Sequence, residues 1–567
     1  MSSLTLWQQH YPKGIPFEIA ETDETIISLF ETVSVKYADR LALTCHGESL
    51  TFKQVADLSS HFAAYAYERL EFRKGDRIAI MLPNLLQFPI VLFGLLKIGC
   101  TVVNINPLYT APEVRQILEN AEAKGIIVLS AFADRIEKNF AHLPHLKHAI
   151  VSDLTDLYHF PKKQIINFIA KHLKGMKPNY NRDKFTPLKA MLSHDKSFTG
   201  RVDIKADDIA FLQYSSGTTG TPKGTILLHR NIVANVHQVW SWISVGLDPS
   251  KQIIIGALPL YHIFALTANL FTFYMAGSRQ ILIPNPRDIK SLVKIMKKSN
   301  FTIFNSINTL YAALLANAEF RKSRFPHFKF SLSGGMSTLE KVAKDWKTVT
   351  GVDIKEAYGL SEMSPAVTIN KFNDGGYNGT VGYPLPSTIV SIRDSEGHEL
   401  PVNENGEIWL KGPQKSPGYW NADKANKEGF TEDGWLKSGD IGFLDEKGRL
   451  TISGRSKNMI LVSGFNVYPK EIENAILTMP EVKECAVVGI PSKSSGEKPL
   501  AFVVLEPGAS LIAKDITQYC YTQLAHYKTP KNIVFVDELP KNNVGKIMKK
   551  ELREDYLKQL DNNSISA

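Results

Sequence analysis

Short apolar runs alternate with helically spaced segments through the N-terminal half of this sequence, and few architectures accept that pattern. Arg77–Leu82 (RIAIML), Thr101–Ile105 (TVVNI), Gly125–Ser130 (GIIVLS) and His148–Ser152 (HAIVS) read as strands, and Leu86–Lys97 reads as a helix. The alternation resumes at Lys251–Gly256, Arg279–Ile283 and Thr302–Asn305. A strand covered on both faces has no polar side to display, so such runs predict an α/β fold with largely parallel sheets. The chain has 567 residues. One hydrophobic core stops growing at roughly 250–300 residues, so two or more domains are expected.

Near residue 380 the texture changes. Strand-like runs shorten and glycine and proline punctuation becomes dense, from Gly382-Tyr-Pro-Leu-Pro386 through Gly412-Pro413, Gly418, Gly434 and Gly439 to Gly448. This predicts a small antiparallel β-rich subdomain over about 380–456. A smaller α/β unit follows, with strands at Glu484–Gly489 and Leu500–Leu505 and a helix around Ile512–Leu524. The expected boundary falls at Ser456–Lys457, giving an N-terminal domain over 1–456 and a C-terminal domain over 457–567.

Charge is unevenly spread. The formal net charge is +9, and residues 156–205 alone hold 11 Lys/Arg against 4 Asp/Glu, or +7. Within that stretch Pro161–Pro178 sets Ile165, Ile166, Phe168, Ile169, Leu173 and Met176 near one helical face, flanked by lysines. The pattern predicts a basic amphipathic surface helix, which either docks on its own domain or meets an anionic membrane surface. Nucleic acid is not expected as a partner. Cys45, Cys100, Cys485 and Cys520 form no CxxC pair, which argues against a zinc site or a disulfide framework and fits a reducing cytosol. No secretory signal is read at the N-terminus. The longest apolar stretch, Phe88–Val103, is too short to span a bilayer. The expected location is cytoplasmic, with peripheral attachment to the inner face of the cytoplasmic membrane if the basic helix binds lipid.

The strongest local signal is Tyr214-Ser-Ser-Gly-Thr-Thr-Gly-Thr-Pro-Lys-Gly224. Its glycines allow close backbone approach, its hydroxyls and Lys223 offer donors and a cation, and loops of this composition cradle polyphosphate. It is neither a Walker A loop nor a GxGxxG turn, because Lys223 lies between Pro222 and Gly224. A linker has similar composition, but this run passes straight into the apolar Thr225–Leu228.

The loop resembles the phosphate-binding signature of the adenylate-forming enzymes, the family of acyl-CoA synthetases, peptide adenylation domains and firefly-type luciferases. Further ordered motifs extend the resemblance over nearly the whole chain. Ala257-Leu-Pro-Leu-Tyr-His-Ile-Phe-Ala-Leu266 and Asn285-Pro-Arg-Asp288 are similar to the long-chain fatty-acid–CoA ligase branch. The fold this implies is a large N-terminal domain of two doubly wound α/β subdomains plus a β-rich subdomain, with a small mobile C-terminal α+β domain.

The resemblance also implies roles. Tyr214, Ser215, Ser216, Gly217, Thr218, Thr219, Gly220, Thr221, Pro222, Lys223 and Gly224 would hold the ATP phosphates. Ser333-Gly334-Gly335-Met336 would border adenine, and Tyr358 in Tyr358-Gly359-Leu-Ser361-Glu362 would stack on it. Ser361 stands where the family usually has threonine and keeps the hydroxyl for the α-phosphate. Glu362 would be the Mg²⁺ ligand. Asp440 would accept from both ribose hydroxyls, with Arg455 as ribose and phosphate contact. His262 would border the acyl site, unless it is an ordinary packed core histidine. Some long-chain members carry a tryptophan gate four residues further on, where this chain has Leu266.

Lys546, in Pro540-Lys-Asn-Asn-Val-Gly-Lys546, matches the lysine that offsets repulsion between the substrate carboxylate and ATP. Lys457 holds the hinge position, and Ser463, Gly464 and Phe465 would line the CoA passage. The implied function is ATP-dependent activation of long-chain fatty acids to acyl-CoA through an acyl-adenylate, with Mg²⁺, releasing AMP and pyrophosphate. ATP, a long-chain fatty acid and CoA are the partners, and a homodimer is left open. Two alternatives share the fold: an acyl-AMP ligase that loads a carrier protein, and a catalytically silent lipid-binding scaffold. The unbroken Leu461–Pro469 favours CoA over a carrier, and Lys223, Glu362, Asp440, Arg455 and Lys546 together argue against a scaffold.

Overall fold

β-Branched residues crowd the apolar runs and helix formers the segments between them, and the chain folds accordingly. The computed structural model describes residues 3–158, 180–215, 222–248, 251–463, 465–492, 495–542 and 545–565. The expected Pro161–Pro178 helix, Ser216–Thr221 of the glycine-rich loop and Gly464 lie outside the described residues. The chain divides into two compact units: residues 7–389 with 410–436, and residues 1–6 and 390–409 with 437–567.

Two sheets organise the first unit. A seven-stranded sheet runs in the order Thr186–Pro187, His148–Ser152, Gly125–Leu129, Arg77–Met81, Thr101–Asn104, Ile209–Ser215, Lys223–Leu228. Its pairs are parallel up to the last, which is antiparallel. A nine-stranded sheet has a parallel centre of Ile354–Gly359, Phe330–Ser333, Ile303–Ser306, Ile253–Gly256, Arg279–Leu282 and Leu41–Cys45. Glu48–Thr51 closes one edge, and Ala366–Ile369 with Tyr383–Pro384 the other, all antiparallel.

Helices join the layers. Phe52–Arg69 and Gln87–Lys97 pack with Ile26–Lys36 around a buried aromatic stack, in which the Phe30 and Phe93 rings lie 4.0 Å apart and 18° from parallel. Tyr274 and Phe52 extend it. Gln87–Phe93 is buried residue after residue, because this helix is covered on all sides.

The second unit holds most of a four-stranded sheet, ordered Ile389–Arg393, Gly406–Lys411, Leu436–Leu444, Leu450–Arg455. Here the punctuated texture becomes short strands joined by tight turns. Beyond it Val482–Ser492 pairs antiparallel with Gly496–Leu505, and Asn532–Phe535 adds in parallel. Ile472, Ile476, Ile516 and Cys520 of the helices Pro469–Ile476 and Ala513–Gln523 fill one core against this sheet. All four cysteines are free and buried. Among the described residues no helix is long and apolar enough to cross a membrane.

Candidate functional site

Two paired strands flank the glycine-rich segment. Ile209–Ser215 and Lys223–Leu228 are antiparallel partners, with Ser215 opposite Lys223 and Tyr214 opposite Gly224. Gly224 is small because a Cβ there would stand 2.9 Å from the Tyr214 ring. The Tyr214 hydroxyl donates to Asn120 Oδ1 at 2.5 Å, and burial raises its pKa. This strand pair is thus rigid, and Lys223 begins its second strand.

A segment far away in sequence lies on that strand. The Ile226 amide donates to the Gly418 carbonyl at 2.9 Å, the Trp420 amide to the Gly224 carbonyl at 2.8 Å, and Thr225 forms a bridge with Tyr419. The Ser416 hydroxyl donates to the carbonyls of Ile226 and Gly418. Tyr419 projects between two of the expected site residues. Its hydroxyl donates to Glu362 Oε1 at 2.6 Å, and Lys223 Nζ lies 5.5 Å from the centroid of its ring. Lys223 and Glu362 are thereby brought together around one aromatic side chain. Sequence reasoning missed Tyr419. The visible signal, Ser416-Pro-Gly-Tyr-Trp420, passed as turn punctuation.

Glu362 sits in the short turn Ser361–Met363, directly after the strand Ile354–Gly359. The turn is fixed from several sides. The Leu360 amide donates to the Pro365 carbonyl, the Ser416 amide to the Glu362 carbonyl, and the Ser364 hydroxyl to the Gln414 carbonyl. Gly359 is forced by proximity, since a Cβ would lie 2.1 Å from the Pro365 carbonyl oxygen. Behind the turn is a buried amide cluster. Asn235 exchanges hydrogen bonds with the Ala366 backbone, and Gln238 donates to the Pro386 carbonyl and to Gln414. Met336 and Gly335 follow the neighbouring strand Phe330–Ser333, and Gly335 adopts a φ of 75°. Tyr358 and Gly334 therefore lie at the carboxyl ends of adjacent parallel strands, where ligands bind in open α/β sheets.

His262 caps the turn Ile263–Ala265, its Nδ1 accepting from the Phe264 amide at 3.3 Å. Desolvation pushes its pKa down to about 4, so the ring is neutral at pH 7.

The second unit gathers its own cluster. Asp440 and Arg455 are opposite one another in paired strands, and Arg455 Nε meets Asp440 Oδ1 at 2.9 Å. The aspartate side chain is 5% exposed and the arginine 48%, so the carboxylate is held inside while the guanidinium reaches outward. Lys546 lies within electrostatic reach of both. Lys546 is an exposed residue. Desolvation first, then the Arg455 cation, hold its pKa below the ordinary lysine value, while Asp440 pulls upward. The Lys546 backbone is tied in a turn: its amide donates to Asn542 Oδ1 and its carbonyl accepts from the Asn542 amide, both at 2.9 Å.

Lys457 occupies the exposed turn Ser456–Asn458 between two strands. Ser463 has a φ of 51°, and Phe465, 56% exposed, stacks on Tyr527 at 4.8 Å. Among the described residues no group of three or more His, Cys, Asp and Glu side chains could hold a metal ion by itself.

The AMP-binding enzyme family model matches residues 30–420, and the model of the AMP-binding enzyme C-terminal domain matches residues 471–546. A long-chain-fatty-acid–CoA ligase of Yersinia pestis is 42% identical over 555 residues, 98% of each chain. The solved structure of ATP-bound MatB from Rhodopseudomonas palustris aligns with a TM-score of 0.82 at 28% identity, covering 94% of this chain and 99% of that one. An anthranilate CoA ligase in complex with anthranoyl-AMP aligns with a TM-score of 0.82 at 27% identity, covering 94% of this chain and 98% of that one.

Proposed function

Because this chain belongs to the AMP-binding enzymes, we propose that it joins long-chain fatty acids to CoA through an acyl-adenylate. The observation that carries this reading is that residues matched one motif at a time fall into two clusters, one within each unit. Lys223 and Glu362 meet on Tyr419, and Asp440, Arg455 and Lys546 gather in the second unit. The acyl class follows the fatty-acid ligase relative, which is alike from end to end.

In the first half-reaction a carboxylate oxygen attacks the α-phosphorus of ATP and pyrophosphate leaves. The nucleophile is already ionised at neutral pH, so no base is needed. The task is to bring two anions together and to hold them in line. Lys223 and the Ser361 hydroxyl face the phosphates in this reading. Tyr358, Gly334, Gly335 and Met336 border the adenine, and Asp440 accepts from the ribose hydroxyls. Lys546 supplies the cation shared by carboxylate and phosphate.

Glu362 offers one carboxylate, which fits Mg²⁺, an ion held by one or two carboxylates with phosphate oxygens and water. Bound there, the ion would neutralise phosphate charge. In the second half-reaction the CoA thiol adds to the acyl carbonyl and AMP departs, and Ser463, Gly464 and Phe465 flank the thiol's approach. Rotation about Lys457 is the assigned switch between the two steps. The basic Pro161–Pro178 segment is assigned to an anionic membrane surface, on its charge and apolar spacing.

The test is release of AMP and pyrophosphate with saturated fatty acids of increasing chain length, with and without CoA. Rates should peak with long chains, and AMP release should need CoA. Fast turnover with short or aromatic acids alone would refute the acyl class. AMP release that ignores CoA but follows an acyl-carrier protein would favour the carrier-loading alternative.

A further inference from the structure

Tyr419 stands outside every motif that pointed to Lys223 and Glu362, yet it touches both. The contact to Glu362 is a phenol donating to a carboxylate at 2.6 Å, the short length of a charge-assisted hydrogen bond. The contact to Lys223 sets an ammonium against the electron-rich ring, at 5.5 Å from its centroid.

The ring itself is held firmly. Asn426 Oδ1 accepts from the Tyr419 amide at 2.7 Å, and Asn426 Nδ2 donates to the Tyr419 carbonyl at 3.0 Å. A Cβ on Gly418 would stand 2.8 Å from the same Asn426 oxygen, so the preceding glycine makes room for this clamp. Phe430 packs edge-on against the ring at 5.6 Å and 74°. The bridge to Thr225 and the flanking bonds to Gly224 and Ile226 lock the segment onto the strand that begins with Lys223. A side chain fixed at its backbone, edge and hydroxyl is suited to fixing others.

We propose that Tyr419 is a positioning residue of this site: its hydroxyl orients the Glu362 carboxylate so that the other oxygen is left for a divalent cation, and its ring sets the Lys223 ammonium toward the phosphates. This rests on the reading of Lys223 and Glu362 given above. The two functions sit on different parts of one side chain, so they separate by substitution. Tyr419→Phe keeps the ring and removes the donor. Tyr419→Leu removes both.

The experiment is calorimetric titration of the full chain with a non-hydrolysable ATP analogue, with and without Mg²⁺, alongside thermal unfolding. In Tyr419→Phe the metal-free affinity should stay within about twofold, while the strengthening due to Mg²⁺ should fall about tenfold. In Tyr419→Leu the metal-free affinity should also fall, by about threefold or more. If either variant unfolds well below the unmodified chain, Asn426→Ala loosens the clamp alone and should give a smaller loss of the same kind. An unchanged Mg²⁺ effect in Tyr419→Phe, or equal losses with and without metal, would overturn the proposal. Absence of metal-linked nucleotide binding in the unmodified chain would defeat the reading of the site itself, and is seen without any variant.

Discussion

The two clusters assigned to nucleotide chemistry are built in opposite ways. In the first unit Lys223, Tyr419 and Glu362 come from three separate segments, and each is pinned by backbone bonds that cross between them. In the second unit Asp440 and Arg455 face each other across one pair of neighbouring strands, and Lys546 rests on a turn closed by its own neighbour Asn542. The first arrangement needs the whole unit to be folded. The second needs little more than strand register and one turn. A site that must hold phosphate charge in fixed geometry suits the first construction. A group that serves one step and not the next suits the second, since an exposed turn costs little to displace.

The sharpest break of that contrast is Lys546→Ala. Lys546 is an exposed residue on a turn, so stability should change by less than about 0.5 kcal/mol. Adenylation should fall by about two to three orders of magnitude, because one cation facing two anions is lost. Thioester formation from supplied acyl-adenylate should stay within about twofold. Single-turnover assays of each half-reaction decide it, and equal loss in both steps would show that Lys546 is not specific to adenylation.

The opposite pole is Gly359→Ala. Here a methyl group would collide with the Pro365 carbonyl at 2.1 Å, and backbone on both sides must shift. The expected cost is about 3 kcal/mol of stability, read as a drop in unfolding midpoint. Nucleotide affinity should fall with it, because the displaced turn carries Glu362. Wild-type stability would show that the turn is softer than its bonds indicate.

This contrast also explains what was legible in the chain. The alternation of apolar runs with helical segments located the parallel strands to within a residue or two, as Arg77–Met81 and Thr101–Asn104 show. It said nothing of strand order. Leu41–Cys45 pairs with Arg279–Leu282, and only tertiary packing decides a neighbour so distant. At the site, motif resemblance pointed to Lys223, Glu362, Asp440 and Lys546, because each stands in a recognisable local string. Tyr419 was invisible for a physical reason. Its meaning comes from a segment laid on a strand, where the Ser416 hydroxyl reaches a carbonyl 190 residues away. Gly224 shows the reverse case, since part of the need for glycine there is clearance for Tyr214 rather than room for a ligand.

A gentler test acts on the packed unit through pH. His229 is 1% exposed, and its Nδ1 accepts from the Ile26 amide at 3.3 Å. Desolvation pushes its pKa down to about 4; Asp208 opposes that shift and Lys74 adds to it. In the unfolded chain the ring returns to about 6.5. Between those values the unfolded state binds a proton that the folded state refuses. Stability is therefore full above about pH 6.5 and declines as pH falls toward 4. His262 in the same unit is held down to about 4 as well and adds in the same direction. From pH 7 to 5.5 the loss due to His229 should be about 1 kcal/mol. Denaturant unfolding of His229→Gln across that range should show a slope flatter by that amount, since glutamine offers Ile26 an acceptor and takes up no proton. An unchanged slope would mean that the ring is hydrated, and that this part of the first unit is less tightly closed than the Glu362 turn.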